Sequence, residues 1–341
     1  MATSTYLFRF DAGAQHGLGH FSRSITVAKQ LLSKRPDARI IILSAATAYM
    51  QREKNKLPFE VILVDEINET IVLNYVKNIR PGVLFFDKLE ELNKDTITAL
   101  KDYTKLVLFH NYSRYATWAD VIIMPAAHID INELLFQHVP DKGPAKIYTG
   151  PDYVVMNEAI LPLRSLFKIR DKGNNVAITT GGSDPKGVMI SLLEKIDFKK
   201  FNNVNFTFFV GDDFLHKERL NAYTNITNAR FLPFDMKAIT ACDIAISTFG
   251  VTTYELLYIG IPVISVGHAE ANAKGSKYLA ANYNCILDIG YIDDVEENDL
   301  NNAINLLIQD AVTRTRLHLA GRDLIDGKGA ERVCDIIMQQ N

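Results

Sequence analysis

The sequence predicts an α/β fold of two Rossmann-like domains whose parallel sheets face each other across a cleft. The chain has 341 residues, which is more than one hydrophobic core usually organises. Its composition, 48% hydrophobic and 23% charged, is ordinary for a globular protein. Short apolar runs of strand length alternate with helical stretches, and this alternation is typical of parallel sheets flanked by helices.

The apolar runs fall into two series, each suited to one doubly wound sheet. The first series comprises residues 6–10, 40–43, 61–64, 83–86, 106–109 and 121–123, and the second comprises residues 176–179, 206–210, 229–232, 244–247, 263–266 and 285–288. Proline and glycine cluster between them at residues 139–144 and 150–151, which suits an irregular connection. We therefore predict one domain over residues 1–150 and another over 151–341, with a last helix that can cross back.

Charge and cysteine content narrow the possible functions. The formal net charge of -3 gives no field that would favour nucleic acid or an anionic membrane. The N-terminus lacks a signal-peptide pattern, and no apolar run reaches the length of a bilayer span. Cys242, Cys285 and Cys334 are widely spaced without a metal-ligand pattern, so we interpret them as reduced core thiols. We expect a cytoplasmic protein without a metal, a nucleic-acid partner or an integral membrane segment.

The loop after the first strand is the first candidate site. Parallel sheets bind ligands beyond the carboxyl ends of their strands, where helix N-termini present unpaired N–H groups. This loop begins at Asp11 and ends in Gly17-Leu18-Gly19-His20 before a helical segment. Its glycines let backbone approach a ligand, and the imidazole of His20 can exchange a proton near neutral pH. The same spacing also fits a tight turn with a solvated histidine, and it does not match the GxGxxG fingerprint.

The most informative loop follows a strand of the second domain. Gly250 starts a turn of small residues, and Thr252 and Thr253 occupy the first turn of the next helix. Their N–H and O–H groups can donate to a diphosphate, while Glu255 can accept hydrogen bonds from ribose hydroxyls. The alternative is an N-capped helix in which Glu255 favours the helix dipole.

Two further loops of the second domain contain glycine or polar residues. The candidate contacts to a phosphate or sugar are Gly181, Gly182 and Ser183 after the domain's first strand, and His268 and Asn272 after a later strand. The first of these loops is equally compatible with a strand-to-helix turn in which Asp184 caps the helix. The second is compatible with a polar surface loop.

Together these motifs resemble a known family. They are Phe10-Asp11-Ala12 with Gly17-Leu18-Gly19-His20 and Arg23, Gly150-Pro151-Asp152-Tyr153, Gly181-Gly182-Ser183-Asp184-Pro185, Gly250 with Thr252-Thr253-Tyr254-Glu255, Gly260-Ile261-Pro262, and Asp326-Gly327-Lys328-Gly329-Ala330. The chain resembles, nearly end to end, the nucleotide-sugar hydrolases of pseudaminic acid biosynthesis and their spore-coat polysaccharide relatives. It is more distantly similar to the peptidoglycan glycosyltransferase that forms lipid II. The resemblance implies a glycosyltransferase-B type fold, a UDP-type nucleotide on the C-terminal domain and a catalytic role for His20.

Several positions depart from the pattern of those hydrolases. Asp87-Lys88-Leu89 stands where they carry Asp-His-Tyr, and His110-Asn111 replaces an Asp-Asp pair. In the second domain Phe249-Gly250-Val251-Thr252 replaces Gly-Gly-Ser-Thr, and Asn272-Ala273 replaces Asn-Gln. These changes leave the acceptor and the sugar open, whereas the nucleotide-binding framework is retained.

The leading hypothesis is a hydrolase that releases a free sugar from a UDP-type nucleotide sugar in nonulosonic acid or surface polysaccharide biosynthesis. The loop from Gly250 to Glu255 would hold the nucleotide and the leaving diphosphate. His20 would deprotonate water, with Asp11 as an assistant. The substrate is the expected partner, and no cofactor is required.

Two alternatives remain open. The first is a glycosyltransferase of the same fold that uses another acceptor, because Lys88, His110 and Asn111 can line a different acceptor pocket. The second is a noncatalytic protein that binds nucleotide sugars. The sequence leaves the nucleotide base and the oligomeric state open.

Overall fold

The computed structural model describes residues 4–13, 16–111, 113–128 and 143–340. The chain divides into two compact units: residues Met1–Asn157 with Gly327–Asn341, and residues Glu158–Asp326. The division after Asn157 lies beyond the predicted boundary near residue 150, and the chain from Gly327 onward groups with the first unit. Residues 139–142 of the predicted connection lie outside the described ranges.

The first unit is built on a parallel sheet. Its strands are β1 (Thr5–Arg9), β2 (Arg39–Ala45), β3 (Glu60–Val64), β4 (Val83–Phe86), β5 (Lys105–Phe109), β6 (Val121–Met124) and β7 (Lys146–Thr149). They lie in the order β3-β2-β1-β4-β5-β6-β7. Its first helices are α1 (Gly19–Lys34), α2 (Ala48–Glu53), α3 (Glu69–Ile79) and α4 (Lys94–Lys101). Six of the strands match predicted runs, whereas β7 was missed because this partly exposed edge strand lacks an apolar run.

Both faces of this sheet are buried, as a parallel sheet requires. Successive residues of a strand point to opposite faces, so Phe8 packs with Phe85 on one face while Leu7 packs with Leu84 on the other. The rings of Phe8 and Phe85 lie 5.1 Å apart, centroid to centroid. This packing fixes the positions of the carboxyl ends of β1 and β4, which Asp11 and Asp87 follow.

The second unit repeats the architecture. Its strands are β8 (Asn175–Thr179), β9 (Asn205–Val210), β10 (Ala229–Pro233), β11 (Ile244–Thr248), β12 (Val263–Gly267) and β13 (Leu287–Tyr291), all parallel, in the order β10-β9-β8-β11-β12-β13. Its helices are α5 (Val188–Lys195), α6 (Met236–Ile239), α7 (Val251–Ile259), α8 (Glu270–Tyr283), α9 (Glu297–Gln309) and α10 (Ala311–Leu324). The last strand starts later than predicted because Asn284 ends α8 in a left-handed conformation and Cys285 and Ile286 are buried before the strand.

The final helix, α11 (Gly329–Met338), belongs to the first unit and packs on α1. Val333, Cys334 and Ile337 enter the core beneath the first sheet. At Gly329 a Cβ would lie 2.1 Å from the carbonyl oxygen of Val154, so only glycine allows this approach. Cys242 and Cys285 are free and buried like Cys334, as predicted.

Short 3₁₀ helices connect several elements; they span Lys54–Lys56, Ala116–Trp118, Pro151–Tyr153, Leu161–Ser165 and Lys217–Tyr223. Within the described ranges, none of the helices combines the length and the apolar composition that a bilayer crossing requires.

Candidate functional site

The first candidate site lies where the strand order of the first sheet reverses. The chain leaves β1 toward β2 on one side and enters β4 on the other, so the loops after β1 and β4 meet at this switch point. Crevices of this kind are the usual ligand sites of open parallel sheets. Asp11 and His20 come from the first loop and its helix, and Asp87 and Lys88 follow β4.

The β1–α1 loop is closed by a glycine turn. Gly17 donates its N–H to the carbonyl oxygen of Gly13 at 2.8 Å and has φ 70°, a conformation that favours glycine. α1 then begins at Gly19, which places His20 in its first turn. The turn thus orients His20; whether Gly17 and Gly19 also contact a ligand stays a prediction.

Asp87 organises the side chains around His20. It is fully buried, and its Oδ1 lies 2.8 Å from His20 Nδ1 and accepts a hydrogen bond from Arg23 Nη2 at 2.6 Å. Its Oδ2 accepts from Arg23 Nε at 2.8 Å and from Ser24 Oγ at 2.9 Å. Arg23 and Ser24 lie one helical turn after His20 in α1, so all three side chains reach Asp87 from the same face of the helix.

The charge of Arg23 keeps Asp87 ionised despite its burial. Burial raises the pKa of Asp87, but the Arg23 charge and the hydrogen bonds from His20 and Arg23 outweigh it and lower this pKa to about 2. When His20 Nδ1 carries the proton, it donates to Asp87, and Nε2 keeps the lone pair that a base needs. In the other tautomer Nδ1 accepts from Arg23 Nη2, which lies 2.7 Å away.

Asp11, predicted to assist His20, has other partners. Its carboxylate binds the guanidinium of Arg9, including a bond from Nη2 at 2.9 Å, and Lys88 Nζ at 2.7 Å. Burial raises the pKa of Asp11, but the contacts with Arg9 and Lys88 hold it well below its usual range. No hydrogen bond joins Asp11 to His20 within the described part of the chain, so Asp87 takes the position that the sequence analysis assigned to Asp11.

The transferase hypothesis expected His110 and Asn111 to share a pocket with Lys88, but neither lines the cavity that contains Lys88. His110 is packed beside Arg23, with Nδ1 3.3 Å from Arg23 Nη2; burial and the Arg23 charge lower its pKa to about 3. Asn111 is fully buried, and its amide donates to the carbonyl oxygens of Lys88 at 2.7 Å and Glu90 at 3.0 Å. Asn111 therefore fixes the shape of the loop after β4.

A cavity of about 400 Å³ opens beside His20 in the first unit. It is lined by Asp11, His16, His20, Ile67, Lys88, Leu89 and Glu90. Its polar lining comes from the loops after β1 and β4, so the switch point carries both a candidate base and room for a ligand.

The second candidate site lies at the corresponding switch point of the second sheet, between β8 and β11. A cavity of about 350 Å³ is lined there by Thr180, Gly181, Gly182, Ser183, Asp184, Pro185, Lys186, Thr248, Phe249, Gly250, Val251, Thr252 and His268. Of the predicted residues, it brings together Gly181, Gly182, Ser183, Gly250, Thr252 and His268. These residues come from the loops after β8, β11 and β12, three neighbouring strands.

Backbone groups dominate this second cavity. A Cβ added at Gly181, Gly182 or Gly250 would meet no atom within 4 Å, so a ligand can approach the backbone at these three positions. The N–H groups of Val251 and Thr252, at the start of α7, have no acceptor among the described residues. Free N–H groups at a helix N-terminus attract an anion such as a phosphate.

Thr253 and Asn272 of the predicted binding set have partners within the protein, and so does Asp184 beside Ser183. Thr253 is fully buried; its hydroxyl accepts from Gly250 N at 3.3 Å and donates to the Thr248 carbonyl at 3.2 Å. Asn272 donates its amide to the Phe249 carbonyl at 3.1 Å. Asp184 accepts from two N–H groups at the start of α5, each at 2.8 Å, which bears out its alternative role as a helix cap.

Glu255 and His268 differ in their surroundings. Glu255 lies one turn into α7; burial raises its pKa to about 7, and none of the described residues donates to its carboxylate. His268 lines the cavity, and burial lowers its pKa, with a smaller contribution from Lys186 that opposes the effect of Asp184. At neutral pH the imidazole of His268 is therefore uncharged, whereas Glu255 can gain or lose its proton.

Other residues of the two sites were missed by the sequence analysis. Thr180 borders the second cavity, and its buried hydroxyl has no hydrogen-bond partner among the described residues. Ser24 supports Asp87 from inside α1. Asp87 directly follows the strand β4, and this position could have marked it as a site residue. Its pairing with His20 could not be predicted, because the two residues lie 67 positions apart in the chain. In the described part of the chain, no group of three His, Cys, Asp or Glu residues could hold a metal ion.

The chain is similar in sequence to a polysaccharide biosynthesis protein and to an uncharacterized protein. It is 26% identical over 339 residues to the spore coat polysaccharide biosynthesis protein SpsG of Bacillus subtilis, with 96% of each chain covered. It is 23% identical over 313 residues to an uncharacterized protein of Methanocaldococcus jannaschii, covering 85% of this chain and 62% of that protein. No family model matches the chain. The predicted similarity to spore-coat relatives is thus confirmed, while membership of the hydrolase family stays a prediction.

Solved structures share the fold at low identity. Acinetobacter baumannii MurG matches with a TM-score of 0.67 and 16% identity over 99% of both chains. CalG4, the calicheamicin glycosyltransferase, matches with a TM-score of 0.65 and 12% identity over 100% of this chain and 98% of that one. With the two parallel sheets, these matches confirm the predicted α/β fold of the glycosyltransferase-B type.

Proposed function

We propose that the chain is a glycosyltransferase that moves a sugar from a nucleotide sugar to an acceptor in polysaccharide biosynthesis. The observation that carries the proposal is the glycine-lined cavity of the second unit, which presents the free N–H groups of Val251 and Thr252. The similarity to SpsG supports the polysaccharide context, and the fold shared with CalG4 and with the spinosyn forosaminyltransferase SpnP supports sugar transfer.

In this proposal the second unit binds the nucleotide. The diphosphate lies against the start of α7, where N–H groups and the helix dipole stabilise negative charge. Lys186 borders the same cavity, and its ammonium, which is paired with Asp293 at 2.6 Å, could turn to the diphosphate. Glu255 accepts hydrogen bonds from the ribose hydroxyls, because a carboxylate can bind both hydroxyls of a diol. The same donors stabilise the diphosphate as it leaves.

The first unit supplies the base. The acceptor oxygen forms a bond to the anomeric carbon while the bond from that carbon to the diphosphate oxygen breaks. The diphosphate leaves with the electron pair, and the acceptor proton passes to His20 Nε2. Asp87 holds His20 in the tautomer that this transfer needs and stabilises the imidazolium that results.

Hydrolysis is the second candidate, because His20 and Asp87 would activate water as readily as a hydroxyl. Transfer is the better supported of the two, because CalG4 and SpnP, which share the fold, are glycosyltransferases. A role in binding alone is less well supported, because it gives no reason for a buried carboxylate that orients a histidine.

The test is an assay of the purified protein against a panel of UDP, GDP and dTDP sugars, with and without candidate acceptors, and mass detection of products. Transfer predicts nucleotide release that depends on an acceptor, together with a glycoside product. Free sugar formed without an acceptor would favour hydrolysis. His20→Ala should slow turnover on the order of a hundredfold or more while the affinity for UDP stays unchanged. Absence of both binding and turnover for the whole panel would refute the proposal.

A further inference from the structure

The lining of the cavity beside His20 contains a lysine held between two carboxylates. Lys88 Nζ lies 2.7 Å from Asp11 Oδ2 and 2.8 Å from Glu90 Oε2. An ammonium has three N–H donors, so two are used and one remains for a ligand. Asn111 fixes the backbone at this lysine and two residues after it through its bonds to the carbonyl oxygens of Lys88 and Glu90. The ammonium is therefore held in one place before any ligand arrives.

The charges of this group cancel. Arg9 and Lys88 contribute two positive charges, and Asp11 and Glu90 contribute two negative ones, all joined by the contacts given above. An anionic acceptor bound by the remaining N–H of Lys88 would lie beside the carboxylates of Asp11 and Glu90, which would repel it. A cationic acceptor bound by Glu90 would lie beside the ammonium of Lys88, which would repel it. Charge balance therefore selects against both kinds of acceptor.

Lys88 and Glu90 together place a hydrogen-bond donor, the ammonium, next to a hydrogen-bond acceptor, the carboxylate. Glu90 Oε2 binds Lys88, while its Oε1 has no partner among the described residues and the side chain is 34% exposed. Adjacent hydroxyls on a sugar ring each donate and accept one hydrogen bond, so they match an ammonium donor next to a carboxylate acceptor.

We propose that this cavity binds an uncharged, hydroxyl-rich acceptor of the size of a sugar ring, with Lys88 donating to one hydroxyl and Glu90 accepting from its neighbour. The inference rests on the proposed function and names the class of acceptor. The volume of about 400 Å³ falls within the range of small-ligand pockets. His20 lines the same cavity, so a hydroxyl of the bound ring can reach the base.

Binding of matched sugars to the full chain tests the inference. The probes are the methyl glycosides of glucose and galactose and the corresponding glucuronide and galacturonide, which differ only in a carboxylate, together with methyl N-acetylglucosaminide. Ligand-observed NMR should show that at least one neutral glycoside binds and that its anionic counterpart binds more weakly. Lys88→Met and Glu90→Gln should each weaken binding on the order of tenfold, the cost of losing a hydrogen bond to a charged group.

Glu91→Gln provides the matched control, since Glu91 is exposed and is absent from the cavity lining. This variant should bind the glycosides like the unaltered protein, and its thermal unfolding gives the reference for the other two. Stronger binding of the anionic sugars, no binding of any neutral glycoside, or equal binding by all three variants would overturn the inference. UDP binding, measured by calorimetry on the same proteins, distinguishes failure of the proposed function from failure of this inference. If the protein binds UDP but no glycoside, only the inferred class of acceptor is rejected.

Discussion

The imidazole of His20 and the carboxylate of Asp87 lie 2.8 Å apart, Nδ1 to Oδ1, although 67 positions separate them in the chain. The pair forms because β1 and β4 are neighbours in the sheet and His20 lies in the first turn of the helix that follows β1. Arg23 binds the same carboxylate, so the charge of Asp87 is maintained whether or not His20 is protonated. A histidine that gains a proton during a reaction is stabilised by such a partner.

Replacing Asp87 by Asn should lower turnover by about a hundredfold or more, because the neutral amide no longer stabilises the imidazolium and its NH2 group can hold His20 in the other tautomer. UDP affinity should stay unchanged, since the nucleotide is assigned to the second unit. Steady-state kinetics and calorimetry with UDP measure the two effects. Asp37→Asn, at an exposed turn residue, is the control. Full turnover in Asp87→Asn would show that the pair has no part in the chemistry.

UDP affinity should depend on pH through Glu255. Burial raises the pKa of this carboxyl to about 7, so the free protein holds the proton below that pH. Ribose hydroxyls donate best to the ionised form, so binding should tighten as pH rises toward 7, level off above it and release a proton. Calorimetry in buffers of different ionisation enthalpy measures this release. The same pH dependence in Glu255→Gln would contradict the assignment.

Two glycine substitutions should separate binding from folding. Gly250→Ala adds a Cβ in open space and in an extended conformation, so the melting temperature should stay unchanged while UDP affinity falls on the order of tenfold. Gly211→Ala places a Cβ 2.2 Å from the carbonyl oxygen of Gly182, so the loop must shift and the melting temperature should fall. Normal UDP binding by Gly250→Ala would argue against backbone contact there.

Thr179 and Thr180 offer a matched pair of buried hydroxyls. Both lack hydrogen-bond partners among the described residues, so changing either to Val should leave stability unchanged or raise it by about 1 kcal/mol. Only Thr180 borders the cavity, so only Thr180→Val should weaken UDP binding. Urea unfolding and calorimetry provide the two measurements. Equal UDP affinities in the two variants would show that Thr180 makes no ligand contact.

The fold could be predicted because its signals are local. Runs such as those that became β1, β4 and β11 are mostly apolar, as buried parallel strands require, and glycines follow β1 and β11. β7 was missed because this edge strand lacks an apolar run. β13 was placed early because Cys285 and Ile286, just before the strand, are apolar and buried.

The sites were only partly predictable because hydroxyls, amides and carboxylates serve as either caps or ligand contacts. Thr252 and Thr253 are adjacent in the chain, yet only Thr252 lines the cavity; the direction of each side chain depends on where α7 begins. Asp11 and Asp87 both follow strands, and their partners depend on strand order. The order of the strands in the sheet cannot be read from the spacing of residues in the chain.

The return of α11 to the first unit has a consequence for biosynthesis. Val333 and Ile337, with Cys334 and Ile336, belong to a core whose remaining residues are translated in the first half of the chain. The emerging polypeptide therefore presents an unfinished apolar surface on α1 until α11 leaves the ribosome, whereas residues Glu158–Asp326 can fold as soon as they emerge. Residues Met1–Asn157 produced alone should aggregate, and a peptide spanning Gly327–Asn341 supplied in trans should rescue their solubility.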